Sequence, residues 1–145
     1  MITVISDDEY RALAELRYRI RHFLQEGDTA ARAVGLEPQQ YLTLLAIRGL
    51  PRGSEATIRT IADRMALKHH SAVELIDRLE AHGFVHRTRS QRDRRQVTVS
   101  LLPRGAKLLE QVARQRISEL RSSGAALADA ISTLVKRKGA RRKQR

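Results

Sequence analysis

The chain has 145 residues, with 28 Lys and Arg against 16 Asp and Glu, and its formal charge of +12 points to a polyanionic partner, either nucleic acid or an acidic membrane surface. The excess sits in two places: Lys136 to Arg145 holds seven positive charges and no acid, Phe84 to Arg104 holds six Arg against Asp93 alone, and the remainder balances fifteen against fifteen. With no cysteine, disulfides, zinc knuckles, thiolate catalysis and cysteine redox sensing are excluded, and with two Phe, three Tyr and no Trp there are too few rings for a base-stacking single-strand platform, which favours duplex DNA.

The elements follow in order. Ser6 and Glu9 form an S-x-x-E capping box, with Asp7 and Asp8 favourable beside a helix N-terminus. Tyr10, Leu13, Leu16, Ile20, Phe23 and Leu24 then recur at helical spacing. Gly27 either stops or kinks this helix, or the helix continues through Val34 until Gly35 breaks it. A second helix opens at Pro38, carries Tyr41, Leu44 and Leu45 on one face and ends before Gly49. Gly49 to Glu55 reads as a loop. Ile58 to Met65 and His69 to His82 read as two short helices separated by Ala66 to Lys68, which fits a helix-turn-helix.

After Gly83 the period changes from helix to strand. Val97, Val99 and Leu101 alternate with Thr98 and Ser100, Phe84 to Arg89 supplies a partner strand, and Ser90 to Arg94 makes the tip of the hairpin. A β-hairpin directly after a helix-turn-helix is a wing. Pro103 opens another helix with Leu109, Val112, Ala113, Ile117 and Leu120 as its stripe, Ser122 to Gly124 interrupt it, and a last helix carries Leu127, Ile131, Leu134 and Val135.

The predicted fold is mainly α with a small β-wing: a winged helix-turn-helix core flanked by N- and C-terminal dimerisation helices. A chain of this length is expected to form one domain over residues 1–135, with 1–34 and 103–135 as the dimerisation helices and 36–101 as the DNA-binding part, its wing at 84–101. The apolar stripes of the terminal helices need partners, which suggests a homodimer. Residues 136–145 are read as a disordered basic tail, either a nonspecific DNA arm or a solvating terminus. No basic-then-apolar leader opens the sequence and no apolar run approaches the ~20 residues that span a bilayer, so no membrane partner is expected and the chain is read as cytoplasmic.

From Ile58 to Val112 the chain resembles the MarR family of bacterial winged-helix transcription regulators. The resemblance rests on Asp93-Arg94-Arg95 with the alternating strand and the stretch ending in Gly105, on Leu79-Glu80-Ala81-His82-Gly83-Phe84-Val85 at the exit of the recognition helix, and on Gly35 to Ile47 as the second helix. It implies an obligate homodimer built from the terminal helices, two recognition helices in successive major grooves of a pseudo-palindromic operator, and a repressor released by a small aromatic or lipophilic acid. The chain departs from the family pattern at four positions. Ala66 replaces a Gly in the turn, Lys68 replaces a Ser or Thr cap, Leu102 replaces a capping Thr, and Glu74 stands where Arg or a polar residue is frequent.

The candidate site has three parts. In the major groove, Lys68, His69, His70, Ser71 and Glu74 lie near the N-terminus of the recognition helix, where side chains reach base edges. Glu74 either accepts from cytosine N4 or pairs with Arg78 at i,i+4, and the two histidines are alternatively plain surface residues. At the wing, Arg95 is the candidate for insertion into a narrow minor groove, Asp93 orients it through a salt bridge, and Arg87, Arg89, Arg92 and Arg94 contact phosphates. Arg17, Tyr18, Arg21 and His22 are candidates for the polar rim of an effector pocket, or else the exposed side of an amphipathic helix.

No G-x-S-x-G, H-E-x-x-H or phosphate-loop pattern is present, so an enzyme is not expected. No metal site or cofactor is expected either: His69 and His70 point to different faces of a helix, and His82 and His86 straddle Gly83. An effector-independent architectural nucleic-acid binder shares every charge argument and differs in showing little preference for an operator over random duplex.

Overall fold

The computed structural model describes residues 3–140 and contains six helices and two strands over that range: α1 Asp7–Ala33, α2 Pro38–Arg48, α3 Ile58–Arg64, α4 His69–Ala81, β1 Val85–Arg89, β2 Val97–Leu101, α5 Pro103–Ser123 and α6 Ala125–Ala140. The expected class, mainly helical with a β-wing, is the one observed. The chain divides into two compact units, residues 29–113 and residues 1–28 with 114–145.

Within residues 29–113 the helix ends are fixed by local chemistry. The C-terminus of α1 closes with Leu36 N–H donating to Ala31 O and Gly35 N–H to Arg32 O, with Gly35 at φ +84. This is the Schellman arrangement, whose left-handed residue is usually glycine. The C-terminus of α4 repeats it, with Phe84 N–H to Leu79 O, Gly83 N–H to Glu80 O and Gly83 at φ +74. So does α3, with Leu67 N–H to Ala62 O and Ala66 N–H to Asp63 O, but here the left-handed residue is Ala66, at φ +52. At the N-termini, Pro38 occupies the first turn of α2, and the Oγ1 of Thr57 accepts the Thr60 amide to cap α3. Lys68 stands at the α4 N-cap and makes no side-chain cap.

The core of this unit is one apolar cluster. Leu36, Leu44, Ile61, Ile76, Leu79, Val85 and Val112 are buried completely, and each such side chain contributes about 1.5–3 kcal/mol of transfer free energy. Ala30 and Ala31 from the last turns of α1, and Leu109 and Val112 from the first half of α5, belong to it. The winged-helix core thus extends beyond 36–101 at both ends. The α5 stripe, continuous in its spacing, is divided in the fold, because Leu109 and Val112 are buried there while Ile117 and Leu120 are exposed.

The wing pairs antiparallel in the register Val85↔Leu101 to Arg89↔Val97. Val99 faces the core and Thr98 and Ser100 face away, as alternation predicts. A third edge has no signal in the sequence: Thr57 bridges to Thr98 and Val99 N–H donates to Ala56 O at 2.8 Å, which ties the α2–α3 loop to β2. The turn into α5 is tight. A Cβ on Gly105 would lie 2.2 Å from the Phe84 carbonyl oxygen, so only glycine fits.

In the other unit, the capping box at Ser6 and Glu9 forms reciprocally: Ser6 N–H donates to Glu9 Oε2 at 2.8 Å and Glu9 N–H donates to Ser6 Oγ at 3.2 Å. The first helix passes through Gly27 without interruption and ends at Ala33. The internal fastening is Arg116 of α5, which is 5% exposed. Its guanidinium donates to Glu119 and to the Phe23 carbonyl, lies 4.2 Å above the Phe23 ring and reaches Glu26 at 3.8 Å. The same guanidinium would meet a Cβ on Gly27 at 3.3 Å, so the small residue in α1 makes room for it. Much of the apolar surface stays uncovered: Tyr10, Leu13, Ile20 and Leu24 of α1, Ile117 and Leu120 of α5, and Ile131 and Val135 of α6 are exposed. The last helix is Ala125–Ala140, which takes in the first residues of the basic tail expected from Lys136, and residues 141–145 of that tail lie outside the described residues.

Candidate nucleic-acid interface

The wing tip is organised by a residue that composition gave no reason to single out. Ser90 is buried. Its N–H donates to Gln96 O, and its Oγ accepts the amides of Arg92 at 3.1 Å and Asp93 at 3.2 Å. Gln96 N–H closes the turn on Asp93 O. The backbone is thereby folded so that Asp93 points along the tip. Its Oδ1 accepts both the Arg95 amide at 3.0 Å and the Arg95 Nε at 3.3 Å. Arg95 itself is 91% exposed, so the acid holds the base of a side chain whose far end is free to enter a groove.

Three other wing arginines do not share that freedom. Arg89 donates to the Arg94 carbonyl at 2.9 Å. Arg92 reaches across to the α2–α3 loop, donating to Gly53 O at 3.3 Å with Glu55 at 3.6 Å. Arg87 turns toward α4: its guanidinium lies 2.6 Å from Asp77 and 3.0 Å from Glu80. The Arg87 backbone N–H and side chain together hold the Glu80 carboxyl below its usual range, and the paired acids raise Arg87 above its own. Arg87, expected at a phosphate, thus faces Asp77 and Glu80 within the fold.

On α4, Lys68, His69 and His70 are exposed and Ser71 is half-buried, with Glu74 exposed one turn later. The helix presents these five while Ala72, Leu75, Ile76 and Leu79 anchor it to the core. The pairing of Glu74 with Arg78 is not made; neither residue takes part in the ion pairs found among the described residues.

The four residues considered for an effector rim are exposed on α1. Tyr18 and His22 pack with their rings tilted at 55° and centroids 4.4 Å apart, and Arg19 lies over Tyr18. Of the four, only His22 lines the concavity between α1, α5 and α6, which has about 60 Å³ and is bordered by Arg19, Phe23, Glu26, Glu119 and Leu127. Among the described residues no three His, Asp or Glu converge as a metal site, and no helix is long and apolar enough to cross a membrane.

A capped helix-turn-helix, its exposed second helix and a hairpin tip with one poised arginine lie within residues that match a known family model, MarR, over 34–96. Those residues resemble the MarR family. A curated relative, the uncharacterised HTH-type transcriptional regulator YsmB of Bacillus subtilis, is 27% identical over 113 residues, 75% of each chain. The fold is shared with a MepR variant of S. aureus bound to an oligodeoxyribonucleotide, 20% identical, at a TM-score of 0.62 covering 81% of this chain and 94% of that one. It is shared equally with CouR from Rhodococcus jostii RHA1 bound to p-coumaroyl-CoA, 22% identical, at a TM-score of 0.65 covering 85% of each. The family match over these residues and the HTH-type relative support a DNA-binding transcription regulator. The matched segment contains α4 and the wing through Arg95, whereas Arg116 and the exposed stripes lie outside it.

Three structural residues of this segment have little or no signature in the sequence. Ser90 carries none beyond its place in a turn. Asp77 and Glu80 carry one, an acid pair at i,i+3 on the helix preceding a basic strand, which reads only once the strand is known to fold back.

Proposed function

We propose that the chain acts as a homodimeric repressor that binds a pseudo-palindromic operator in duplex DNA on the nucleoid of a bacterial cytoplasm, and that a small aromatic or lipophilic acid releases it. The observation that carries the reading is the wing tip, where Asp93 fixes the root of Arg95 and leaves its end exposed, on the same unit as the exposed Lys68, His69, His70, Ser71 and Glu74. In this reading α4 enters the major groove and Arg95 the adjacent minor groove, with Arg94 available to phosphates.

The uncovered stripes on α1, α5 and α6 support the dimer. A second copy covers Tyr10, Leu13, Ile20, Leu24, Ile117, Leu120, Ile131 and Val135 at once, and sets two half-sites about one helical turn, ~34–36 Å, apart. The effector rests on family resemblance and on the acyl-CoA thioester bound by CouR.

Selection of duplexes from a random pool tests the reading. A palindromic consensus supports the regulator, whereas retention of DNA with no consensus makes the chain an effector-independent architectural binder. Sedimentation that finds a stable monomer at micromolar concentration removes the dimer. A panel of aromatic and lipophilic acids that leaves operator affinity unchanged removes the effector.

A further inference from the structure

Arg87 spends its charge on the recognition helix. It lies on β1, and its side chain reaches Asp77 and Glu80, which stand one turn apart on the C-terminal half of α4. Glu80 receives three hydrogen bonds from this one residue, from the Arg87 backbone amide at 3.0 Å, Nε at 3.2 Å and Nη2 at 3.0 Å. Asp77 takes the remaining Nη1 at 2.6 Å. Only His82, Gly83 and Phe84 connect α4 to β1, and Gly83 takes φ +74 in the tight turn between them. The ion pairs bridge that turn from outside.

We propose that Arg87 is a positioning residue for DNA recognition: clamped by Asp77 and Glu80, it locks the wing to the recognition helix, so that reading in the major groove and reading by Arg95 are held at one angle, and it makes no phosphate contact itself. The proposal rests on the DNA-binding reading above and adds a residue whose effect is on specificity. The physical reason is a balance of charge. A planar guanidinium forked onto carboxylates is held by charge-assisted hydrogen bonds. To reach a phosphate Arg87 would give these up and leave two unpaired carboxylates beside the polyanion. Arg95, with one acid at its root and its end in solvent, faces no such cost.

The test uses the full chain, a duplex selected by it and a scrambled duplex of the same composition, with affinity followed by fluorescence anisotropy across a salt series. Arg87→Gln is expected to weaken the selected duplex about tenfold and the scrambled one by much less, with the log–log salt slope unchanged. Arg87→Glu is expected to do the same or worse, and combining it with Glu80→Arg to restore preference for the selected duplex. A slope that falls by ~0.9 for each Arg87 removed, with equal weakening on both duplexes, overturns the proposal by placing Arg87 on phosphate. Failure of Glu80→Arg to rescue also counts against it. If Arg87→Gln and Arg87→Glu are unfolded by circular dichroism, Arg87→Lys decides, since it keeps the charge and gives up the fork: lost preference at constant slope supports the clamp, and wild-type behaviour overturns it. If the wild-type chain selects no sequence, the regulator reading fails separately, and slopes on random duplex still report whether Arg87 meets phosphate.

Discussion

The Asp93 carboxylate oxygen Oδ1 accepts from both the backbone amide and the Nε of Arg95, at 3.0 and 3.3 Å. An acid in a basic wing looks like a liability beside DNA. Here it costs little charge and fixes the first atoms of a wing side chain whose end extends into solvent.

Replacing Arg95 by Ala is therefore expected to cost about 1–3 kcal/mol of operator binding and to lower the magnitude of the salt slope by about one per protomer. Asp93→Ala should cost less, since it frees Arg95 without removing it, and the weakening should fall on operator preference more than on random duplex. Anisotropy titrations on both duplexes check the order; equal, unchanged affinities would remove the wing from the mechanism.

Ala66 occupies the left-handed position of a Schellman cap that Gly35 and Gly83 fill at the ends of α1 and α4. An L-residue with a Cβ is strained there by about 1–2 kcal/mol, offset in part by the larger unfolded-state entropy of glycine. Ala66→Gly should accordingly raise stability by roughly 0.5–1 kcal/mol. Thermal unfolding should show an upward shift of a few degrees, and a downward shift would contradict the strain argument.

At Gly105 the sign reverses. With 2.2 Å between an added Cβ and the Phe84 carbonyl, the backbone entering α5 must move, and Phe84 also accepts the Leu102 amide through that oxygen. Gly105→Ala should lose about 1–3 kcal/mol or more in denaturant unfolding.

The pairing of Glu80 with Arg87 carries a pH signature. The Glu80 carboxyl is held below 4.5 by the Arg87 amide and then by its guanidinium. A depressed acid stabilises the fold when ionised, so its contribution is present above the unfolded pKa and is lost as pH falls through the folded one. Wild type should be more stable than Glu80→Gln by a constant margin near neutrality, and the margin should shrink as pH falls through the lowered Glu80 pKa, beneath the usual carboxylate range. A margin that persists in strong acid would mean that the ionised carboxylate is not what stabilises the fold.

The basic end separates affinity from preference. Residues 141–145 carry four positive charges. Deleting them, with α6 retained to Ala140, should flatten the salt dependence of binding to any duplex, by up to ~0.9 for each phosphate that the arm neutralises, and leave the selected consensus unchanged. A changed consensus would show that the arm takes part in sequence reading.

Local signals made most of the fold legible. Capping residues, glycines at helix ends and the switch from a period of 3.6 to a period of 2 act over a few neighbours, so the helices, the hairpin and Asp93 behind Arg95 could be read from spacing alone. The α5 stripe shows where such reading stops: Leu109, Val112, Ile117 and Leu120 have one periodicity, yet the first two are buried in the winged-helix core and the others are exposed.

The linear chain by itself determined where charge accumulates, that it lies mainly on the wing flanks and the C-terminal end, and which elements carry it. Only the tertiary structure decided which of those charges are free. Arg87, Arg92 and Arg95 look alike along the chain, but folding places Asp77 and Glu80 against the first, Gly53 and Glu55 against the second and only Asp93 against the root of the third. The formal charge of an arginine is a property of its residue type. Its availability to DNA depends on which acids and carbonyls the fold brings within hydrogen-bond reach, and those partners lie as far as 39 positions away.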